Sequence, residues 1–344
     1  MTQTYDTDSR ALIAAAHAAM ERRDWTAAIS LWTRAAALGP RRRVFRGLAR
    51  AQLKRKDYEA ATRVLRTALG HFPDTTAFLD LLGEALMYQR LWQEAVPVWE
   101  ARLGADETPP PMQVVLFLAS AYRRLGREAE AAALLAAHGQ ELERLYGAET
   151  AAVLHRGRAG LPESRPGAYW ITGPSGTGKT TVGHLLGALG FETVDGDKEL
   201  GQFTHVDTGE VTGATAPYPI TASFLAENAW TWDLERLAHI LSACRDDVVF
   251  IFGGSRNAGQ VRSHFAGHLA LHAPPEVLRK RLQAREPMRF ADGSPSLLKV
   301  LKSAERLRRG SAAKVISSDQ PMFRVMSDVL AHIRQDAPGG GQGQ

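Results

Sequence analysis

Eight consecutive residues constrain this chain more than any other stretch: Gly173-Pro174-Ser175-Gly176-Thr177-Gly178-Lys179-Thr180, with Thr181 behind them. They read G-x-x-x-x-G-K-[ST], a spacing in which backbone N–H groups and a helix N-terminus together cradle phosphate oxygens. The flanks agree. Ala168-Tyr169-Trp170-Ile171-Thr172 is an apolar run of strand length, and Val182, Leu185, Leu186 and Leu189 follow at i, i+3, i+4 and i+7, stopped by Gly190. In that setting Gly173 to Thr181 are the expected nucleotide contacts. Lys179 reaches the β- and γ-phosphates of ATP, and the Thr180 hydroxyl sits on Mg²⁺.

Composition limits the rest. At 344 residues the chain has room for two domains. The net charge of +5 permits an anionic ligand without arguing for nucleic acid. A lone cysteine, Cys244, leaves no internal disulfide and fits a reducing, cytoplasmic setting. The N-terminus is polar and no apolar run has the length of a membrane span, so neither a secretory signal nor a membrane partner is expected. The histidines form no convincing ligand set, and no zinc is expected. The glycine-rich end, residues 337–344, is expected to be disordered.

Residues 9–146 are rich in alanine and leucine, with helical periodicity, and they repeat. Ala28, Trp32, Ala35 and Pro40 recur as Ala61, Leu65, Ala68 and Pro73 at an offset of 33. Ala95 and Trp99 follow at 34, and Ala131 and Leu135 at 36 after an insertion around Thr108 to Pro111. Leu48-Ala49, Leu82-Gly83 and Leu118-Ala119 stand at matching places upstream. This spacing resembles the tetratricopeptide repeat, whose period is near 34. The resemblance implies an all-α repeat solenoid of about four helix pairs, because one pair cannot bury its own apolar face. It also implies a protein partner. Between Arg41 and Arg66 the chain is strongly basic, which reads either as a solvated helix face or as a face for an acidic partner.

Residues 147–166 gather glycine, proline and polar side chains and read as a linker, of which Ala148 to His155 can still be helical. Residues 167–336 form the second domain. Phe191-Glu-Thr-Val-Asp195-Gly196-Asp197 is a short strand with two carboxylates at its end, and in a parallel sheet that end lines the ligand crevice. Gly196 is expected to allow a tight bend that turns both acids into one site. The next strand, through Phe252, ends in Gly253-Gly254-Ser255-Arg256. Its acids, Asp246 and Asp247, lie at the opposite end from where motor-type and switch-type NTPases hold Mg²⁺.

This combination resembles the small-molecule kinases of the phosphate-loop fold, the shikimate, gluconate and adenylylsulfate kinase group. It implies an α/β P-loop NTPase fold with a parallel sheet, and ATP-dependent phosphotransfer to a small acceptor. Asp195 would support Mg²⁺ and Asp197 would orient or deprotonate the acceptor hydroxyl, though the two roles can be exchanged. Asp197, Gly253, Gly254 and Arg256 are the expected acceptor contacts. Val277 to Arg285 resembles the helix leading into a mobile lid, with Arg281 and Arg285 four apart on one face to stabilise the transferring charge. A flexible stretch from Glu286 to Pro295 follows, then a strand at Lys314 to Ser318 and a final helix. Leu200 to Pro219 reads as an insertion over the acceptor site, and Trp230 to Asp233 as part of a helix beyond it. A regulatory ATPase that couples nucleotide state to partner binding is the alternative function. A scaffold with a vestigial nucleotide site is a third, against which the intact Gly178-Lys179-Thr180 argues.

Overall fold

The computed structural model describes every residue except 1, 74, 106–109, 159–160, 162–163, 218–219, 245–247, 310–312 and 335–344; the side chains of 2–7 and 308–309 are also outside the description. The expected disordered end at 337–344 and the acids Asp246 and Asp247 therefore lie outside the described residues. In chain order come α1 (Thr2–Glu21), α2 (Trp25–Ala37), α3 (Arg42–Lys54), α4 (Tyr58–His71), α5 (Thr76–Tyr88) and α6 (Trp92–Leu103). Then follow α7 (Met112–Arg124), α8 (Glu128–Ala137), α9 (Gly139–Tyr146) and α10 (Ala148–Arg156). The second half runs β1 (Gly167–Thr172), α11 (Lys179–Ala188), β2 (Glu192–Asp195), α12 (Gly196–Glu199), β3 (Gly201–His205), β4 (Val211–Gly213), α13 (Ala222–Glu227) and β5 (Asn228–Trp232). It closes with α14 (Leu234–Ala243), β6 (Val248–Phe252), α15 (Ala258–Val261), β7 (Gly267–His272), α16 (Pro275–Arg285), α17 (Pro295–Arg309), β8 (Lys314–Ser317) and α18 (Met322–His332). No described helix is long and apolar enough to cross a membrane.

The first eight helices are the four pairs expected from the repeat. Their recurring residues are the buried ones: Ala28, Trp32, Ala35, Ala61, Leu65, Ala68, Ala95, Trp99, Ala131 and Leu135. Small residues admit the large ones. A Cβ added to Gly47 would overlap the Trp32 indole, and one on Gly83 would overlap Trp99. The turn inside each pair also repeats. Arg23, Lys56 and Arg90 hold φ of 59°, 63° and 57°, and the fourth turn uses Gly126 at 74°. The left-handed residue ends one helix, and in the first two pairs an aspartate starts the next. Asp24 accepts from Ala27 N at 3.0 Å and Asp57 from Ala60 N at 3.2 Å.

The chain forms two compact units, Met1–Val114 with Gly201–Asp233, and Val115–Leu200 with Leu234–Gln344. In the first, the segment after α12 becomes a three-stranded antiparallel sheet in the order β4-β3-β5. Its Gly201 carbonyl accepts from Lys56 Nζ, which also lies 5.1 Å from the Trp230 ring centroid, and its Thr215 Oγ1 accepts from Trp25 Nε1. The helix expected at Trp230 to Trp232 is thus a strand, β5. Trp230, Thr231 and Trp232 are strand-favouring types, and tertiary pairing with β3 decides the outcome.

The second unit holds a five-stranded parallel sheet in the order β2-β6-β1-β7-β8. Tyr169, Trp170 and Ile171 on β1 and every residue of β6 are buried, the pattern of strands covered on both faces. Helix α7 belongs with this sheet from Val115 onward. Its Arg123 donates to the carbonyls of Ala188 and Leu154, the latter at 2.8 Å, and its Arg124 pairs with Glu192 on β2 at 2.8 Å. The first part of the expected linker is helix α10. The stretch from Glu286 to Pro295, expected to be flexible, is organised around Phe290, which is buried against Leu282 and Leu297.

Candidate active site

β1 lies between β6 and β7, so its C-terminal end opens into the crevice where ligands bind in open parallel sheets. The loop that leaves it is shaped by glycine. Gly173, Gly176 and Gly178 hold φ of 146°, 88° and 86°, where side-chain-bearing residues are strained. At Gly173 a Cβ would also overlap the Leu271 carbonyl on β7. Pro174 is buried, and the buried Thr177 closes the turn by donating to Pro174 O at 2.8 Å. Gly178 then delivers the chain into α11, whose first turn presents Lys179, an exposed Thr180 and a half-buried Thr181. Ser175 is exposed at the tip.

Lys179 folds back over this loop, donating from Nζ to Gly173 O at 2.5 Å and Pro174 O at 3.0 Å. Burial lowers its pKa below the ordinary lysine value. Asp197 and then Asp195 pull it back up, while Arg285 lowers it further. Both carboxylates at the end of β2 are therefore felt at the lysine, and so is one of the two helix arginines. The other, Arg281, donates to Gly176 O at 3.2 Å and to Ser318 O at 2.9 Å, tying α16 to the loop and to the end of β8. Arg285 pairs with Glu286 at 3.3 Å and lies 5.9 Å from the Phe290 ring centroid.

The acid pair is presented differently from the bend expected at Gly196. Gly196 opens a helical turn, α12, and Asp195 is its N-cap, accepting from Lys198 N at 3.2 Å. Glu199, buried one turn on, answers by accepting from Asp195 N at 2.8 Å. A capped turn, rather than glycine freedom, sets the angle between the two carboxylates. Asp197 is exposed and its Oδ1 accepts from Gly254 N at 3.4 Å, which joins it to the glycine turn after β6. Gly253 anchors that turn: its N donates to Ile171 O at 3.1 Å and its O accepts from Trp170 Nε1 at 3.0 Å. Arg256 is exposed and makes no hydrogen bond or ion pair among the described residues. Glu199 and Trp170 support the site and were not legible as site residues. Trp170 reads as core, and the glutamate stands four residues after the cap instead of the usual three.

The groups match a magnesium nucleotide. Three loop glycines hold φ values that suit a backbone cradle for phosphate, and Thr180, Asp195 and Asp197 offer the hard oxygen donors that Mg²⁺ prefers. No cluster of three or more His, Cys, Asp or Glu that would hold a metal through protein groups alone occurs among the described residues.

Two known families match different parts of the chain. An AAA domain family matches residues 170–291, and the tetratricopeptide repeat family matches 13–75 and 81–140. The N-terminal half thus carries tetratricopeptide repeats, and the C-terminal half carries a P-loop domain of the AAA type. Among solved structures, MamA AMB-1 is 21% identical over 44% of this chain and 87% of its own, with a TM-score of 0.33. A gluconokinase from Sinorhizobium meliloti 1021 is 21% identical over 50% of this chain and 93% of its own, with a TM-score of 0.31. A thermophilic TPR protein of Thermus thermophilus is 20% identical over 44% of this chain and 87% of its own, with a TM-score of 0.29. No curated protein matches the chain.

Proposed function

We propose that the chain is an ATP-dependent phosphotransferase acting on a small hydroxyl- or acid-bearing molecule, joined to repeats that bind a protein. The observation that supports this reading is the glycine-shaped loop itself, with Lys179 Nζ folded onto its carbonyls, Arg281 bonded to Gly176 O, and Asp197 joined to the glycine turn after β6. When bound, Mg²⁺·ATP would supply the γ-phosphoryl group, with ADP as the leaving group and the metal offsetting its charge. The chain's own residues hold and orient. Loop N–H groups would grip phosphate oxygens, Lys179 would add a charge to the terminal phosphates, and Thr180 would hold the metal with Asp195 in support. Asp197, steadied by Gly254 N–H, orients the acceptor hydroxyl and takes its proton. Gly253, Gly254 and Arg256 border the acceptor, and Arg281 and Arg285 stabilise developing charge and exclude water.

The test is a screen of small hydroxyl and carboxylate compounds with Mg²⁺·ATP, read by mass spectrometry for a phosphorylated product, with Lys179→Ala as control. A product that the wild type makes and the control does not supports the reading. A second reading, a regulatory ATPase, is favoured by the anchoring of repeat helix α7 to α11 and β2 through Arg123 and Arg124. Release of ADP and free phosphate alone, stimulated by a protein, would replace the first reading with this one.

A further inference from the structure

Helix α3 carries five cations and no acid: Arg42, Arg43, Arg46, Arg50 and Lys54. At 100° per residue they fall within an arc of about 120°, opposite the buried Val44, Phe45, Leu48, Ala49, Ala51 and Gln52. All five are exposed in the intact chain. Several arginines elsewhere in the repeats are ion-paired, as in Arg63–Glu59, Arg66–Glu94 and Arg102–Asp80. The α3 arginines are not so paired. Arg42 lies over the Phe72 ring, Arg43 donates to His17 Nε2 at 3.1 Å, and Arg46 and Arg50 have no ion-pair partner among the described residues. The field of this stripe reaches α1: after burial, Arg43 and Arg46 are causes that hold His17 below its ordinary pKa, with Glu21 opposing them.

From this face we infer a docking surface for an extended, acidic segment of a protein partner, with Asp or Glu at alternate residues. The spacing supplies the match. Arg42, Arg46, Arg50 and Lys54 step along the helix by about 6 Å each. Side chains on one face of an extended strand recur every two residues, about 6.6 Å. A carboxylate row on such a strand therefore meets the cation row nearly in register. Single-stranded nucleic acid offers similar charge spacing but also needs stacking platforms. The one aromatic of α3, Phe45, is buried. The inference rests on the reading of the repeats as protein-binding and is independent of what the phosphate loop does, so a failed kinase screen leaves it standing.

The experiment uses the full chain and a fluorescein-labelled peptide of alternating Glu and Ser, read by anisotropy across a salt series. Controls are the same peptide with Gln for Glu, and a labelled single-stranded RNA. Wild type is expected to bind the acidic peptide at least tenfold more tightly than the Gln peptide. The double variant Arg46→Glu/Arg50→Glu should weaken binding by roughly tenfold or more and flatten its salt dependence. Arg46→Gln/Arg50→Gln should fall between, and an unchanged melting temperature for both checks that the fold persists. Lys299→Glu/Lys302→Glu makes the same change in net charge on exposed positions of α17. It should leave affinity within about twofold. An equal loss in that control, equal binding of the Gln peptide, or tighter binding of RNA through the same arginines would overturn the inference.

Discussion

Asp195 serves two structures with one carboxylate, since it ends β2 at the crevice and caps α12. Its aim therefore depends on Glu199, a buried acid that touches the Asp195 main chain and not the expected phosphates. If Glu199 positions Asp195, Glu199→Ala should lower kcat on the true acceptor by about tenfold. Glu199→Gln, which keeps an acceptor oxygen for Asp195 N, should restore most of it. Loss of stability without a change in kcat would make Glu199 only a cap. A second residue-scale prediction concerns His268. Burial first, then Arg262, lowers its pKa from 6.5 to about 4, and its ring stacks on Trp170 at 4.5 Å. Between those values the unfolded chain carries a proton on this side chain and the folded chain does not. Stability from this group is therefore full above pH 6.5 and falls as pH drops toward 4. The loss is about 1–2 kcal/mol once solvent screening of a half-buried ring is allowed for. Urea denaturation at pH 7 and pH 5 should show a smaller acid-induced loss in His268→Phe than in wild type.

Elements were legible where one periodicity left no rival. The repeat helices follow from alanines and large residues at offsets of 33 to 36, because each of those recurring positions is buried. The phosphate loop follows from glycines whose φ values no other residue adopts easily. β5 did not follow, because a five-residue run with two tryptophans satisfies a helix or a strand until a partner strand selects one. Nor did the attachment of α7, since Arg123 and Arg124 look like ordinary basic residues closing a helix. In the fold the Arg124 and Glu192 side chains are 10% and 3% exposed and form an ion pair. Arg124→Met alone should cost about 3–5 kcal/mol of the second unit's stability by removing the guanidinium that faces the buried Glu192 carboxylate. Arg124→Met/Glu192→Met should recover most of that loss, measured by chemical denaturation. If the double variant is no better than the single one, the pair acts through packing rather than charge.

At the scale of the whole molecule, composition and packing draw different lines. Proline and glycine gather at 147–166, where the sequence changes character from helical repeat to alternating strand and helix. Compactness changes earlier, between Val114 and Val115 inside α7, and the segment Gly201–Asp233 returns to the first unit. Charge explains part of the shift: Arg123 is buried under Ala188 and Leu154 carbonyls, and Arg124 faces Glu192. Removing α7 would uncover β2 and the end of α11, the elements that carry Asp195 and Lys179. Two truncations separate the possibilities. A fragment beginning at Met112 keeps all of α7 and should melt cooperatively and bind Mg²⁺·ATP. A fragment beginning at Gly147 lacks those arginines and should melt lower by at least several degrees. Its nucleotide affinity should weaken in parallel, because the strand bearing the acid pair has lost its buried counter-charge. Equal melting temperatures and equal ATP binding for the two fragments would show that the limits drawn from composition, 9–146 and 167–336, are also the limits of independent folding.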